Sequence, residues 1–206
     1  LFLLQMCSSL QLAKYYFPKD KASMTKAKDR LKALAAVGIL VRHELKLQKA
    51  NIPVYTLGPA GALVLDIPYT PNWWKDCSPY KVLRQLITNQ LFFRFKLLGY
   101  ETVYNPTPAP FNGEIIFREM DFRICVTNGK DVPPELKWEK DRRLIIIGES
   151  LEELNSTLNT TKNNPNIRYT TDYDLFVTEF IHAFSKYDYE SDQLVPTYMP
   201  GFTKKE

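Results

Sequence analysis

The stretch 23–36 constrains the fold more than any other part of this chain. Its apolar residues recur at steps of three and four, which places them on one side of a helix with 3.6 residues per turn: Met24, Ala27, Leu31, Leu34 and Ala35. Most other positions are polar, and many are basic. The pattern predicts a helix with a buried stripe and a basic outward face, with Ser23 as its N-cap and Gly38 as its stop.

The segment after this helix predicts a β-hairpin. Two strand-like runs, 42–46 and 54–57, flank a polar tip that contains Lys49, Ala50 and Asn51. Pro53 is expected at the edge of the hairpin, because proline has no N–H to donate to a strand ladder.

The residues before the basic helix predict two shorter helical segments. Residues 1–6 are expected to be the end of an apolar helix, within a longer parent chain. Residues 10–17 are expected to form a short helix, capped by Ser9 and closed by Pro18. Three helical segments followed by a hairpin predict a winged helix-turn-helix domain over 1–66.

The second half of the chain has the pattern of strands and helices expected of a small α/β domain. Residues 67–79 are rich in proline and predict a linker, and residues 80–186 predict the α/β domain. Residues 187–206 predict a C-terminal tail that is either loosely ordered or docked through its tyrosines. Within the domain, alternating or continuous apolar runs predict strands at 101–104, 114–118, 121–127, 143–148 and 167–170, and helical patterns cover 80–98, 149–159 and 174–186. The fold class expected for the whole chain is α+β.

Charge is divided unevenly along the chain. Up to Gly58 there are ten basic and three acidic residues, a net charge of +7, whereas the remainder carries −3 of the total of +4. A polyanionic partner is therefore expected to bind the first third. Three widely spaced cysteines fit a reducing cytoplasm, and no apolar run reaches the length of a membrane span, so no membrane partner is expected.

Residues that could support catalysis do not form recognisable motifs. The two histidines, His43 and His182, lie in different predicted domains, which argues against a shared metal site. The sequence also lacks a glycine-rich phosphate loop with its lysine. These observations predict a protein that is not an enzyme and that holds no metal or cofactor.

Four blocks of sequence carry a resemblance to a known family. They are 10–18 (LQLAKYYFP), 30–34 together with 38–42 (RLKAL and GILVR), 55–61 (YTLGPAG) and 86–89 (LITN). In these blocks, and in their order, the chain resembles the replication-relaxation family of bacterial plasmids and integrative elements. The resemblance spans most of 1–186. It implies a DNA-binding protein of replication or DNA relaxation, whose second domain is similar to a degenerate PD-(D/E)xK nuclease fold.

One part of the nuclease pattern is incomplete in this sequence. Active members hold a divalent metal with an aspartate on one strand and an acidic residue and a lysine on the next. Asp121 suits the first role, and Glu135 and Lys137 have the right mutual spacing. However, Glu135 follows two prolines, which favours a turn or a helix start. A metal-dependent nuclease using Asp121, Glu135 and Lys137 therefore stands as an alternative function.

The basic residues before Gly58 predict a binding site for double-stranded DNA on the basic helix and the hairpin. Arg30 is expected to contact guanine, and the lysines to contact phosphates. The predicted site consists of Thr25, Lys26, Lys28, Asp29, Arg30, Lys32, Ala33, Arg42, Lys46 and Lys49. A homodimer is expected, with a replication or transfer protein as a further partner, acting in replication, transfer or transcriptional control. A protein-interaction adaptor with an idle winged helix is the second alternative.

Overall fold

The chain folds into two compact units of mixed α and β structure. The computed structural model describes residues 4–17, 23–47, 50–70, 73–127, 133–199 and 201–202. The units are Leu1–Asn89 and Gln90–Glu206. Six α-helices and two β-sheets are present in the described ranges, which confirms the α+β class. None of the helices described is long and apolar enough to cross a membrane.

The first unit is built from a three-stranded antiparallel sheet with helices on both faces. The strand order is β1-β3-β2. In chain order the elements are β1 (Met6–Ser8), α1 (Ser9–Tyr16), α2 (Ser23–Ala36), β2 (Leu40–Lys46), β3 (Asn51–Leu57), α3 (Pro59–Val64), the 3-10 helix Trp73–Asp76 and α4 (Pro79–Leu97), inside which the boundary between the units falls.

Helix α2 covers the residues that the sequence predicts. Its apolar stripe is anchored by Ala27 and Leu31, which are buried. Gly38 ends the helix in the left-handed conformation, with φ +72°. Its N–H donates to the carbonyl of Ala35 at 3.1 Å, as in a helix C-cap. Ser23 is the first helical residue rather than the N-cap, and the N-cap position lies outside the described residues.

The predicted hairpin is confirmed, with both strands longer than predicted. β2 and β3 pair from Leu40 with Leu57 to Lys46 with Asn51. β3 is the central strand of the sheet, yet Pro53 lies one residue beyond the last pair between β1 and β3. Proline therefore occupies a position with a neighbouring strand on one side only, where its missing N–H costs no ladder bond to β1.

Two predictions for the start of the chain are wrong. Met6, expected within a helix, lies in β1 opposite Thr56, because pairing with β3 extends it. The N-cap of α1 is Ser8 instead of Ser9. The Ser8 hydroxyl accepts from the Gln11 N–H at 3.2 Å, and the Gln11 side-chain carbonyl accepts from the Ser8 N–H at 3.0 Å, which is a capping box. The predicted closing residue, Pro18, lies outside the described residues.

Each face of the small sheet has its own apolar cluster. On one face Leu40 and Tyr55 pack with Leu31 of α2. On the other face Leu45 and Val54 pack with residues of α4 and with Trp73 and Trp74 of the 3-10 helix. Within the segment 67–79, predicted as a linker, Trp73, Trp74 and Cys77 therefore pack on the sheet of the first unit.

The second unit contains a seven-stranded mixed sheet. Its order is β10-β9-β8-β7-β6-β5-β4, with β6, β7 and β8 parallel and the other neighbours antiparallel. After α4 the elements are β4 (Thr102–Asn105), β5 (Gly113–Phe117), β6 (Met120–Val126), the 3-10 helix Pro134–Trp138, β7 (Leu144–Gly148), α5 (Leu151–Thr161), β8 (Ile167–Thr171), α6 (Asp172–Val177), the 3-10 helix Phe180–His182, β9 (Phe184–Asp188) and β10 (Gln193–Thr197).

The core of this unit surrounds β7, all of whose residues are buried, as the continuous apolar run predicts. On one face of the sheet, Ile146 packs with Leu154 and Leu158 of α5. On the other, the Phe95 ring of α4 makes an edge contact with Phe117 at 4.9 Å between centroids. The sheet is thus covered on both faces near its centre.

The structure corrects the predictions for the end of the chain. The expected helix over 174–186 stops at Val177, because the Arg94 guanidinium donates to the carbonyls of Leu175 at 3.1 Å and Thr178 at 2.5 Å and Thr178 is extended. Within the expected tail, residues 187–188 complete β9 and Gln193–Thr197 form β10, and the two strands pair from Gln193 with Asp188 to Thr197 with Phe184. These strands form one edge of the large sheet. The Tyr189 hydroxyl donates to the Lys162 carbonyl at 2.6 Å, as the alternative of a tail docked through its tyrosines expects.

Candidate nucleic-acid interface

The outward face of α2 carries the predicted DNA-binding residues, and all of those on the helix are exposed. They are Thr25, Lys26, Lys28, Asp29, Arg30, Lys32 and Ala33. Four of these side chains are cationic and one is anionic. Since the charged groups share one helix surface, their fields add and attract a polyanion.

Close backbone contacts fix the end of α2 against α3. Gly61 of α3 lies so near the turn after α2 that a Cβ atom there would stand 2.4 Å from the Ile39 carbonyl oxygen. The Gly58 N–H donates to the same oxygen at 2.8 Å, and the Ala60 N–H donates to the carbonyl of Gly38 at 3.1 Å. The glycines of the GPAG segment, 58–61, therefore allow an approach that a side chain would block.

The hairpin adds cations on the same side of the sheet as α2. Side chains alternate along a strand, so Arg42 and Lys46 share a face with Leu40, which packs on α2. Both are exposed. Arg42 Nη2 lies 3.0 Å from Glu44 Oε1 in an exposed ion pair, a contact that costs little to exchange for another anion. Lys49, at the predicted tip, lies outside the described residues.

Charge separates the two units strongly. The first unit holds 13 basic and five acidic residues, a net charge of +8, and the second holds 14 and 18, a net charge of −4. Attraction to a polyanion is therefore concentrated in the unit that contains α2.

The opposite face of the small sheet holds His43 in a structural role. Its ring stacks on Trp74 at 4.4 Å between centroids, and its Nε2 lies 2.9 Å from the Thr56 hydroxyl. Burial lowers the pKa of His43 from its ordinary value of 6.5. The neutral imidazole is thus the form that this packing favours.

Two buried amides tie α1 and β1 to α4, and sequence reasoning missed both. Gln11 Nε2 donates to the Leu86 carbonyl at 2.5 Å. Asn89 Nδ2 donates to the carbonyls of Leu4 at 3.0 Å and Met6 at 2.5 Å. The Ser-x-x-Gln spacing of the capping box could have indicated Gln11. No local pattern indicates Asn89, because its partners are more than 80 positions away.

The residues of the nuclease alternative are spread over different elements. Asp121 lies on β6, while Glu135 and Lys137 lie on the 3-10 helix Pro134–Trp138 instead of on a strand. The expectation of a turn or a helix start at this point is confirmed, since the 3-10 helix begins at Pro134. Arg143 Nη1 lies 3.7 Å from Asp121 Oδ1. Among the residues described, no group of three or more His, Cys, Asp or Glu side chains is placed to hold a metal ion.

The cysteine thiols contribute no reactive group to the interface. All three are reduced thiols, and Cys7 and Cys125 are buried. Burial raises the pKa of the Cys7 thiol to about 12, which keeps it protonated at neutral pH.

Comparison with known proteins adds no relative: a scan against protein-family models found no match, and a search of curated proteins found no similar chain.

Proposed function

We propose that the first unit is a winged helix that binds double-stranded DNA through α2. In this proposal α2 enters the major groove, where Arg30 contacts a guanine and Thr25, Asp29 and Ala33 face base edges. Lys26, Lys28 and Lys32 bind phosphates. The hairpin is the wing, and Arg42, Lys46 and Lys49 contact the flanking backbone or the minor groove.

The observation that carries this proposal is the exposure of every predicted α2 contact on a helix whose other side is anchored in the apolar cluster with Leu40 and Tyr55. An anchored helix fixes the backbone positions from which the cations project, so less backbone entropy is lost on binding. The order of elements, two helices and then a hairpin on a three-stranded sheet, is also the order expected of a winged helix.

The proposed role follows the family resemblance. We place the chain in the replication-relaxation family, as a non-enzymatic DNA-binding protein of a plasmid or mobile element that acts in replication, transfer or transcriptional control. A homodimer would set two α2 helices on successive turns of the major groove. The second unit, similar to a degenerate PD-(D/E)xK domain, would then provide the contact with its copy or with a replication or transfer protein.

Fluorescence anisotropy with a mixed-sequence 30-base-pair duplex tests the proposal. The variant Lys26→Ala/Arg30→Ala removes two phosphate or base contacts and is expected to weaken binding by at least about tenfold at low salt, with a shallower dependence of affinity on salt. The control Lys75→Ala/Lys81→Ala removes the same charge from exposed positions outside α2 and is expected to change binding less than threefold.

Two results would replace the proposal. Equal binding by the α2 variant and its control, or no binding at low salt, would favour the adaptor function. Magnesium- or manganese-dependent cleavage of plasmid DNA that Asp121→Ala abolishes would favour the nuclease.

A further inference from the structure

Trp138 is an exposed aromatic residue at the end of the 3-10 helix Pro134–Trp138 in the second unit. Its exposed fraction is 81%. Trp is usually among the more buried residues, because burying its ring contributes a large hydrophobic free energy. At its exposed fraction of 81%, the Trp138 side chain contributes little of this free energy to the stability of the fold. Tryptophan is enriched among the residues that carry most of the free energy of binding at interfaces.

The backbone around Trp138 is firmly held. Two residues earlier, Leu136 is buried in the core cluster with Leu154 and Ile146. On the other side, Asn164 Nδ2 donates to the carbonyl oxygens of Glu139 and Arg142, the second at 3.1 Å. The exposure of Trp138 is therefore fixed by the fold of its segment on both sides of the residue.

Basic residues flank this tryptophan in sequence, within an otherwise acidic unit. The segment 137–143 contains four basic and two acidic residues, although the unit as a whole carries −4. Its exposed cations are Lys137, Lys140, Arg142 and Arg143. The acidic Glu139 is bound on both sides, by Arg123 Nη1 at 3.2 Å and by Arg142 Nε at 3.3 Å, so its charge is offset locally.

We propose that Trp138 and its neighbouring cations form a binding site for single-stranded nucleic acid. An unpaired base stacks on the indole ring, and the adjoining phosphates contact Lys137 and Lys140. Stacking on an aromatic ring requires an unpaired base, because the faces of paired bases are covered within a duplex. The cations favour nucleic acid over a protein partner, since the core of a protein interface is depleted in lysine.

This site lies in a different unit from α2 and does not depend on duplex binding there. A protein that carries both sites would contact paired and unpaired strands with separate surfaces. Such a combination suits DNA that is locally opened next to a duplex site.

Binding of fluorescein-labelled (dT)12 to the full chain tests this site. The background Lys26→Ala/Arg30→Ala is used throughout, so that non-specific capture by α2 does not mask the result. In that background Trp138→Ala is expected to weaken binding by about tenfold, whereas Trp138→Phe, which keeps an aromatic face, is expected to retain most of it. The intrinsic tryptophan fluorescence should fall on binding and should lose this response in Trp138→Phe.

The matched control is Tyr173→Ala. Tyr173 is an aromatic residue of the same unit with an exposed fraction of 67%, but it stands between Asp172 and Asp174. Its removal is expected to change (dT)12 binding less than twofold. Equal affinities for Trp138→Ala and its background, or no binding at 50 mM salt, would overturn the site. Self-association that Trp138→Ala abolishes, without any (dT)12 binding, would assign the tryptophan to a protein contact and would also overturn it.

These outcomes are separable from those of the proposed function. Duplex binding by the otherwise unchanged chain responds to Lys26 and Arg30. Binding of (dT)12 responds to Trp138 in a chain from which those two cations have been removed.

Discussion

The first unit is held together differently from the second. In the first, a short sheet is joined to its helices by close glycine contacts at 58–61 and by the buried amides Gln11 and Asn89. In the second, a long sheet is covered near its centre by apolar side chains, with β7 buried throughout. The unit with most of the exposed cations thus adds polar and backbone contacts at particular positions to its two small apolar clusters.

This difference affects how each unit responds to substitution. An apolar core loses stability in proportion to the side-chain volume removed and the cavity left behind. Breaking a polar or backbone contact costs a free energy that depends on the geometry of the contact and not on the side-chain volume removed. A small substitution can therefore break it. Four measurements, ordered from the largest expected effect, would sharpen or break the comparison.

The largest effect is expected from Ile146→Ala in β7. Ile146 is completely buried, and truncation should reduce the free energy of unfolding by about 4 kcal/mol through lost burial and a residual cavity. Urea unfolding followed by far-ultraviolet circular dichroism measures it. The control Val103→Ala, at an exposed position of β4, should cost less than about 1 kcal/mol. Similar costs for both variants would mean that β7 does not dominate the core.

A smaller effect is expected from Gly61→Ala in α3. The new methyl group would lie 2.4 Å from the Ile39 oxygen and 2.7 Å from Leu57 Cδ1, so the contact between α3 and the turn after α2 must shift. The expected loss is about 3 kcal/mol, measured by urea unfolding with Trp73 and Trp74 fluorescence in a Trp138→Phe background.

The control for this glycine is Gly38→Ala, in the same unit. The added methyl group would meet Ala60 Cβ at 3.7 Å, an ordinary contact, but the φ of +72° strains any side chain. The expected loss is about 1 kcal/mol. A Gly61→Ala cost no larger than this would show that the close approach is not needed.

The third effect concerns Asn89→Ala. The substitution removes donors to the Leu4 and Met6 carbonyls within the first unit, and buried acceptors without partners cost about 2 kcal/mol. Hydrogen exchange at β1 amides should accelerate accordingly. The control Gln85→Ala removes the side-chain donor to the Asn89 carbonyl oxygen at a half-buried position and should cost less. Unchanged exchange in Asn89→Ala would contradict a tie between α4 and β1.

The smallest effect is a pH dependence from His43. Because burial lowers its pKa, the unfolded chain binds a proton at higher pH than the folded one. The stability contributed by the neutral ring is present above pH 6.5 and is lost as the pH falls toward the lowered pKa of the folded state. Urea unfolding at pH 7.5 and 5.5, followed by Trp74 fluorescence, measures the difference.

The matched pair for this pH dependence is His43→Phe and His182→Gln. The first keeps a ring on Trp74 and should reduce the difference between the two pH values. The second changes an exposed histidine near Glu179 and should leave the difference in place. An unchanged difference in His43→Phe would assign the pH dependence to other groups.

Local sequence patterns were sufficient to predict the structure of a segment wherever its contact partners are near in sequence. Helix α2 and the β2–β3 hairpin follow from periodicity, from a glycine stop and from a short polar connection. The exposure of Lys26 and Arg30 follows from the same periodicity, since the residues opposite a buried stripe face outward. The continuous apolar run at 144–147 was likewise enough to predict a strand buried on both faces.

The predictions failed where distant contacts decide the structure. Met6 is in a strand because β3 pairs with it, and α6 ends early because Arg94 binds the carbonyl of Leu175 inside the helix and that of Thr178 just after it. The strand pair β9–β10 depends on the edge offered by β8, which no property of 184–197 reveals. The sequence around Trp138 does not predict its exposure either, because Leu136 and Asn164 set the position of the backbone on both sides of it.

The sequence by itself determined the α+β class, the basic helix over 23–36, the hairpin after it and the concentration of positive charge before Gly58, because periodicity, turn chemistry and charge are local properties. Only the tertiary structure decided the long sheet's edge strands, the buried ties of Gln11 and Asn89, and the exposed position of Trp138. Each of these depends on groups that are brought together from distant parts of the chain, and the free energy of such contacts is set by packing rather than by local propensity.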